Sequence, residues 1–268
     1  MNATIADRAF WDSYWEGYAG VLSDNPTRAY RHGLILRLLD RGTGQDMRFV
    51  DIGCGQGELI TRVANRFPHS AVLGVDISEK AIRLARDMNH RAEFMASDIR
   101  DPEGLHKTHP GWATHAACSE VLEHVDDEKA FLRDSARIMT DGGTLIVTVP
   151  GGPMSAWDRH IGHRRHYTRA LLRNTLEQAG YSVSRVFLAG FPFLNLYRVG
   201  LIMRGASLIE DMKLGNRGPH RFAIAVLDST ARLVFRFNLT DSPLGWQIVA
   251  LARKDPDPAR KTIFSSEG

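Results

Sequence analysis

The chain has 268 residues, of which 43% are hydrophobic and 24% charged. That mixture belongs to a folded globular protein and excludes a disordered chain, a collagen-like repeat or a coiled-coil rod. Two cysteines, Cys54 and Cys118, are too few for a disulfide framework or a structural zinc site, and no metal is expected. The net charge of +3 permits an anionic substrate but does not argue for nucleic acid.

No run of about 18 apolar residues occurs, so no membrane-spanning helix is expected. Asp7, Arg8 and Asp12 among early aromatics do not fit a signal peptide, and the chain is read as cytoplasmic with reduced thiols. Residues 1–45 read as a helical cap, with Thr27–Leu39 at helical spacing before Arg41-Gly42-Thr43-Gly44 breaks the pattern. Short apolar runs follow at Arg48–Ile52, Ala71–Val75, Ala92–Met95, Thr114–Cys118 and Thr144–Val149. Helix-length amphipathic segments, Gln56–Phe67, Glu79–Asn89 and Asp127–Met139, lie between them. Such alternation predicts parallel strands joined by right-handed crossovers.

Thr168–Ala179 is a predicted helix, with Thr168 as N-cap and Gly180 as its stop. Val183–Leu188 and Ile248–Ala252 are the last two strands. The segment between them is too long for a structureless loop in a compact domain. It resolves into two apolar helical stretches, Leu194–Met212 and Arg221–Phe237, separated by Gly215-Asn216-Arg217-Gly218-Pro219. The expected architecture is thus α/β. A Rossmann-like, mostly parallel seven-stranded sheet at 46–190 carries helices on both faces, a helical insertion at 191–244, a last strand at 245–254 and a loose tail at 255–268.

The sharpest signal is Val50-Asp51-Ile52-Gly53-Cys54-Gly55-Gln56-Gly57-Glu58, where a strand ends and a helix begins. Glycines there allow a tight turn and close ligand approach, and the helix start offers free N–H groups. A dinucleotide fold wants its third glycine at 58, and an acid there repels a pyrophosphate, which disfavours a nicotinamide oxidoreductase. Gly74-Val75-Asp76-Ile77-Ser78 places an acid where both hydroxyls of a ribose could be held, and Ala96-Ser97-Asp98-Ile99 places one where an adenine amino group could be met. Three consecutive strand ends thus put acids at one edge of the sheet.

This arrangement resembles the class I S-adenosylmethionine-dependent methyltransferases, particularly those acting on small molecules. Ser119-Glu120-Val121-Leu122-Glu123-His124-Val125 is similar to the segment after that family's fourth strand, and Met139-Thr140-Asp141-Gly142-Gly143-Thr144-Leu145 to its turn into the fifth. The resemblance covers residues 46–190 and the final strand. It implies S-adenosylmethionine as cofactor, with Asp51, Gly53, Gly55 and Gly57 at its methionine part. Asp76 would hold the ribose and Ile77 would lie beside the adenine. Asp98 and Ile99 would sit at the adenine edge, with Ser119 and Glu120 below the cofactor.

On the acceptor side, six of the eight residues from Arg159 to His166 are Arg or His. Arg164, Arg165 and Tyr167 could clamp an anionic acceptor through paired hydrogen bonds, or the run could be a solvated basic loop. A hydroxyl acceptor gains from a base, for which His166, His124 and Glu120 are the candidates; His166 and His124 could equally be structural. The apolar insertion could cap the site, form a homodimer interface or rest on a membrane surface. The first two fit better, because its few basic residues make a weak lipid-binding face. In its second helix Asp228, Arg232 and Arg236 form a polar stripe, and the helix reads as mostly buried. The leading reading is a methyltransferase acting on an O, N or C atom of a small or medium-sized metabolite, which is allowed to be anionic. Its rivals are an RNA-modifying methyltransferase and an inert partner protein of the same fold.

Overall fold

The computed structural model describes residues 8–22, 25–40, 46–101, 103–205, 207, 210 and 221–256. Strands β1 (Arg48–Ile52), β2 (Ala71–Asp76), β3 (Glu93–Ala96), β4 (Ala113–Ser119), β5 (Met139–Pro150), β6 (Tyr181–Ala189) and β7 (Gln247–Lys254) form one sheet. Their order is β3-β2-β1-β4-β5-β7-β6. The first five pair in parallel, while β7 runs antiparallel to both β5 and β6. The expected mostly parallel seven-stranded sheet is therefore present, with β7 as its one reversed strand.

Helices α1 (Arg8–Leu22) and α2 (Pro26–Leu39) precede the sheet. Next come α3 (Glu58–Arg66), α4 (Glu79–Met88), the short α5 (Leu105–Thr108), α6 (Glu128–Arg137), the short α7 (Ala156–His160) and α8 (Arg169–Gln178). The insertion contributes α9 (Phe193–Arg204) and α10 (Arg221–Val234). Along β1, Phe49 joins a core with Ile35 of α2 and Leu59, Ile60 and Val63 of α3. Val50 and Ile52 join the other, with Leu132 of α6 and Leu172 and Leu176 of α8. Successive side chains point to opposite faces, so a strand covered on both sides needs an unbroken apolar run.

Most boundaries shift by a residue or two from the sequence reading, and at three places the reason is local. Helix α3 starts at Glu58, because Gly57 has φ 79° in the left-handed region and cannot begin a right-handed helix. β5 begins at Met139 because the chain bends through Gly142 at φ 74° without leaving the sheet. Asp255, placed in the loose tail, donates its amide to the Gly180 carbonyl at 3.0 Å and so belongs to the sheet's end. Residues 257–268, the break at 41–44 and the Gly215–Pro219 separator lie outside the described residues. Helix α10 was expected to be mostly buried. It instead packs one side, through Ala231, onto Leu194 of α9, with Phe235 just beyond its end, while Val226, Leu227 and Leu233 are exposed. It is an outer layer that packs on α2 and α9.

The first helix of the N-terminal cap is tied to the start of α4 by polar contacts. On α1, Asp12 accepts hydrogen bonds from the Ser78 hydroxyl at 2.6 Å and the Lys80 amide at 3.1 Å, at the start of α4. Arg8 pairs with Glu79 at 2.7 Å beside it. Burial works against the Asp12 carboxylate, but these hydrogen bonds outweigh it and hold its pKa below the ordinary value. Asp12→Ala removes both bonds at a cost of roughly 1–2 kcal/mol to the docking of α1. Faster limited proteolysis within residues 8–22, with the global unfolding midpoint nearly unchanged, is the expected outcome.

Candidate functional site

The glycine turn is held from the β2 side. The amides of Gly53 and Cys54 both donate to the Val75 carbonyl, at 2.8 and 3.0 Å. Asp76 then accepts from the Gly55 amide through Oδ2 and from the Ser78 amide through Oδ1, each at 2.9 Å. Gly53 and Gly55 have φ of 77° and 53°. A Cβ on Gly53 would stand 2.4 Å from Val121, and one on Gly55 2.6 Å from the Trp15 ring. Only glycine fits either place.

Asp51, behind this turn, is buried, and its Oδ1 has no partner. Burial, and then the neighbouring Asp76, push its pKa up to about 8. Burial also raises Asp76, against the hydrogen bonds from Ser78 and Gly55. Asp98 behaves oppositely: burial raises it, but Arg100 more than compensates, pairing at 2.6 Å and donating its amide at 2.9 Å.

Asp51, Gly53, Gly55, Asp76, Ile77, Asp98, Ile99 and Ser119 all line one cavity of about 340 Å³. Gly57 does not. Its place is against Phe94, where a Cβ would come within 2.9 Å of the ring, so it serves the turn rather than the cavity.

The same cavity continues past β4. Glu120 has φ 58°, and its Oε1 accepts from Gln247 Nε2 at 2.9 Å and Thr148 Oγ1 at 3.3 Å. Its Oε2 lies 3.7 Å from Arg31 Nη1. The His124 ring sits edge-on between Trp11 of α1 and His163, at centroid distances of 4.8 and 4.7 Å. Burial holds His124 down to about 3 and His163 down to about 4, so both imidazoles are neutral near pH 7. Asp158 and Arg198 complete this end, 3.8 Å apart.

The expected anion clamp is not in the cavity. Arg164 pairs with Asp126 and donates from Nε to the His124 carbonyl at 3.0 Å. Arg165 pairs with Glu128, and the Tyr167 hydroxyl donates to the Leu122 carbonyl at 3.2 Å. These three side chains lace the segment after β5 to the exit of β4. His166 also lies off the lining, bonded to the Gly152 carbonyl and to His163. Among the described residues, the arginines that reach the cavity are Arg28 and Arg31 of α2, Arg100, and Arg198 of α9. A signal for Arg198 was present: an arginine in the middle of an apolar stretch.

Two groups of side chains bring ligand atoms within 4.8 Å of one another, at distances a cation could draw together. One is Glu123, His124 and His163; the other is Asp158, His163 and His166. The sequence reading expected no metal; its argument concerned the two cysteines, and it did not weigh histidines and carboxylates as ligands.

A family model described as a methyltransferase domain matches residues 24–186. The chain is 36% identical over 146 residues to a ubiquinone biosynthesis O-methyltransferase of Ralstonia nicotianae, covering 54% of this chain and 60% of that protein. It is 29% identical over 133 residues to a trans-aconitate 2-methyltransferase of an Azoarcus species, covering 48% and 47%. Its matches thus span about half the length of the curated relatives. A solved structure from echinomycin biosynthesis, where a disulfide bond is converted into a thioacetal group, shares the fold. It has a TM-score of 0.60 at 15% identity, over 97% of this chain and 98% of that one. No helix among the described residues is long and apolar enough to cross a membrane.

Two outcomes follow from these contacts. Unfolded, Asp51 ionises near 3.8; folded, near 8. Between those values the folded chain keeps a proton that the unfolded chain has lost, so this group's contribution to stability falls as pH rises. Asp51→Asn should therefore raise the unfolding midpoint above wild type at pH 8, with the difference vanishing near pH 4. Arg165→Ala, which breaks a partly buried pair with Glu128, should cost roughly 1 kcal/mol by denaturant titration. Ligand affinity in the cavity should not change.

Proposed function

The chain belongs to the class I S-adenosylmethionine-dependent methyltransferases, and on that footing we propose that it methylates an oxygen atom of a small anionic acceptor. One observation carries this reading. A single cavity runs from the glycine turn and its acids to a polar end built from Glu120, His124, Asp158, His163 and Arg198. A donor and an acceptor can meet there without leaving the protein. Orientation of that kind supplies a large part of the barrier reduction in a group transfer.

The cofactor end fits S-adenosylmethionine by its own chemistry. Asp51 is a buried carboxyl with an unpartnered oxygen, a place for the ammonium of the methionine part. Asp76 and Asp98 offer acceptors for the ribose hydroxyls and the adenine amino group, with Ile77 and Ile99 beside the base. Gly53 and Gly55 leave the room that side chains would fill. Bound there, S-adenosylmethionine supplies an electrophilic methyl group on a positively charged sulfur.

The acceptor end binds and deprotonates. Arg31 and Arg198, rather than Arg164 and Arg165, hold the acceptor's anionic group. Glu120 takes the hydroxyl proton, since Gln247 and Thr148 fix its Oε1 and its Oε2 faces Arg31. The O-methyltransferase and trans-aconitate methyltransferase among the relatives support an oxygen-bearing, acidic acceptor.

Calorimetry with S-adenosylmethionine tests the cofactor half. Asp76→Ala should weaken binding by roughly 1.5–3 kcal/mol, the loss of hydrogen bonds to a charged group. Wild type at pH 7 should release close to one proton as the cofactor's ammonium ionises Asp51, read from heats in buffers of different ionisation enthalpy. A folded wild-type chain that binds no S-adenosylmethionine at millimolar concentration overturns the reading. For the acceptor half, Glu120→Gln should lower turnover roughly 10²–10⁴-fold with cofactor affinity preserved.

A further inference from the structure

We propose that Glu123, His124 and His163 form a binding site for a divalent transition-metal cation at the acceptor end of the cavity. Glu123 is 0% exposed, and neither of its carboxylate oxygens has a hydrogen-bond partner. A buried carboxyl left so is costly unless something else meets it. His163 Nε2 stands 4.0 Å from Glu123 Oε1.

Hydrogen bonds fix which imidazole nitrogens are bare. The Gly152 carbonyl can only accept, so His166 Nδ1, 2.9 Å away, carries the proton. Neutral His166 therefore accepts at Nε2 from His163 Nδ1, 3.2 Å distant. Neutral His163 is then bare at Nε2, the nitrogen nearest Glu123. Second bonds of this kind orient metal-binding histidines. On His124, Nδ1 is buried and has no hydrogen-bond partner.

Glu123, His124 and His163 thus each bring one ligand atom within 4.8 Å of the others, and Glu123 Oε1 and His163 Nε2 face each other at 4.0 Å. Ligands about 2.1 Å from a common ion lie roughly 3–3.5 Å apart, so closure asks for about an ångström of side-chain movement. Two imidazoles and a carboxylate suit Mn²⁺, Fe²⁺, Co²⁺ or Zn²⁺ better than Mg²⁺ or Ca²⁺. The competing set is already engaged: Asp158 accepts from the Ser155 amide at 2.7 Å, and both nitrogens of His166 are used. His124 and His163 line the cavity, so an ion there has open positions facing it. On the methyltransferase reading, those positions hold the acceptor's oxygen and ease loss of its proton to Glu120.

Full-length protein, stripped with chelator and titrated with Mn²⁺ under electron paramagnetic resonance, tests this. One bound ion per chain is expected. Glu123→Gln and His163→Gln, each checked by its unfolding midpoint, should weaken binding at least tenfold, while Asp158→Asn stays near wild type. S-adenosylmethionine affinity, measured on the same samples, reports separately on the methyltransferase reading. Absence of bound Mn²⁺ at millimolar concentration overturns the proposal. So does wild-type binding by both Glu123→Gln and His163→Gln, or loss of binding in Asp158→Asn alone.

Discussion

The hydrogen bond from the Gly55 amide to the Asp76 carboxylate ties the exit of β1 to the exit of β2, and the cavity is shaped around it. With Gly53 and Cys54 both donating to Val75, the turn cannot drift from the sheet edge. Val121 presses it from the β4 side and Trp15 from α1 above. This grip also sets an electrostatic condition. Asp51 and Asp76 are buried neighbours, and amides partner both oxygens of Asp76 while Asp51 Oδ1 has none. A site that keeps one carboxyl protonated for want of a partner favours a ligand bringing positive charge.

The position of the turn follows from topology. After β1 the chain builds outward through β2 and β3, then returns to place β4 on the other side of β1. Where strand order reverses in this way, the loops leaving two adjacent parallel strands diverge and a crevice opens at their carboxyl ends. Gly53 and Val121 stand on its two sides. The sheet supplies the floor, whereas α1, α2 and α9 supply the walls through Trp15, Arg31 and Arg198. Trp15 packs against the turn itself, whereas Arg31 reaches Glu120 and Arg198 reaches Asp158 at the other end of the cavity.

What could be read from the sequence was what depends on local pattern. The β-strands are short apolar runs because both faces are covered, and the glycine turn declares itself because three glycines take positive φ. The acceptor end was not readable, for a physical reason. Arg164 and Arg165 look like a free basic cluster until Asp126 and Glu128, distant in the chain, are brought beside them. Arg31 looks like one more surface arginine on α2 until Glu120 comes within 3.7 Å. Charge runs carry no record of their partners, so the same pattern reads as clamp or as stitch. Glu123 lay inside a motif read only for its likeness to the segment after a fourth strand. Its complete burial arises because the chain folds back under the cavity there.

That fold-back rests on Glu120. A side chain at φ 58° sits in the left-handed region, which for a residue other than glycine costs roughly 1 kcal/mol or more. The conformation persists because neighbours hold both ends of the residue. Its amide donates to the Thr148 carbonyl at 2.9 Å, and its carboxylate accepts from Gln247 on β7 and Thr148 on β5. Two strands thus enforce one strained residue. The bend sends the next turn, Leu122–His124, inward, where all three residues are buried. An extended residue at 120 would carry the chain onward along the sheet and leave Glu123 and His124 in solvent. The strain at Glu120 therefore places three polar groups, its own carboxylate and those of the following turn, around the acceptor end of the cavity.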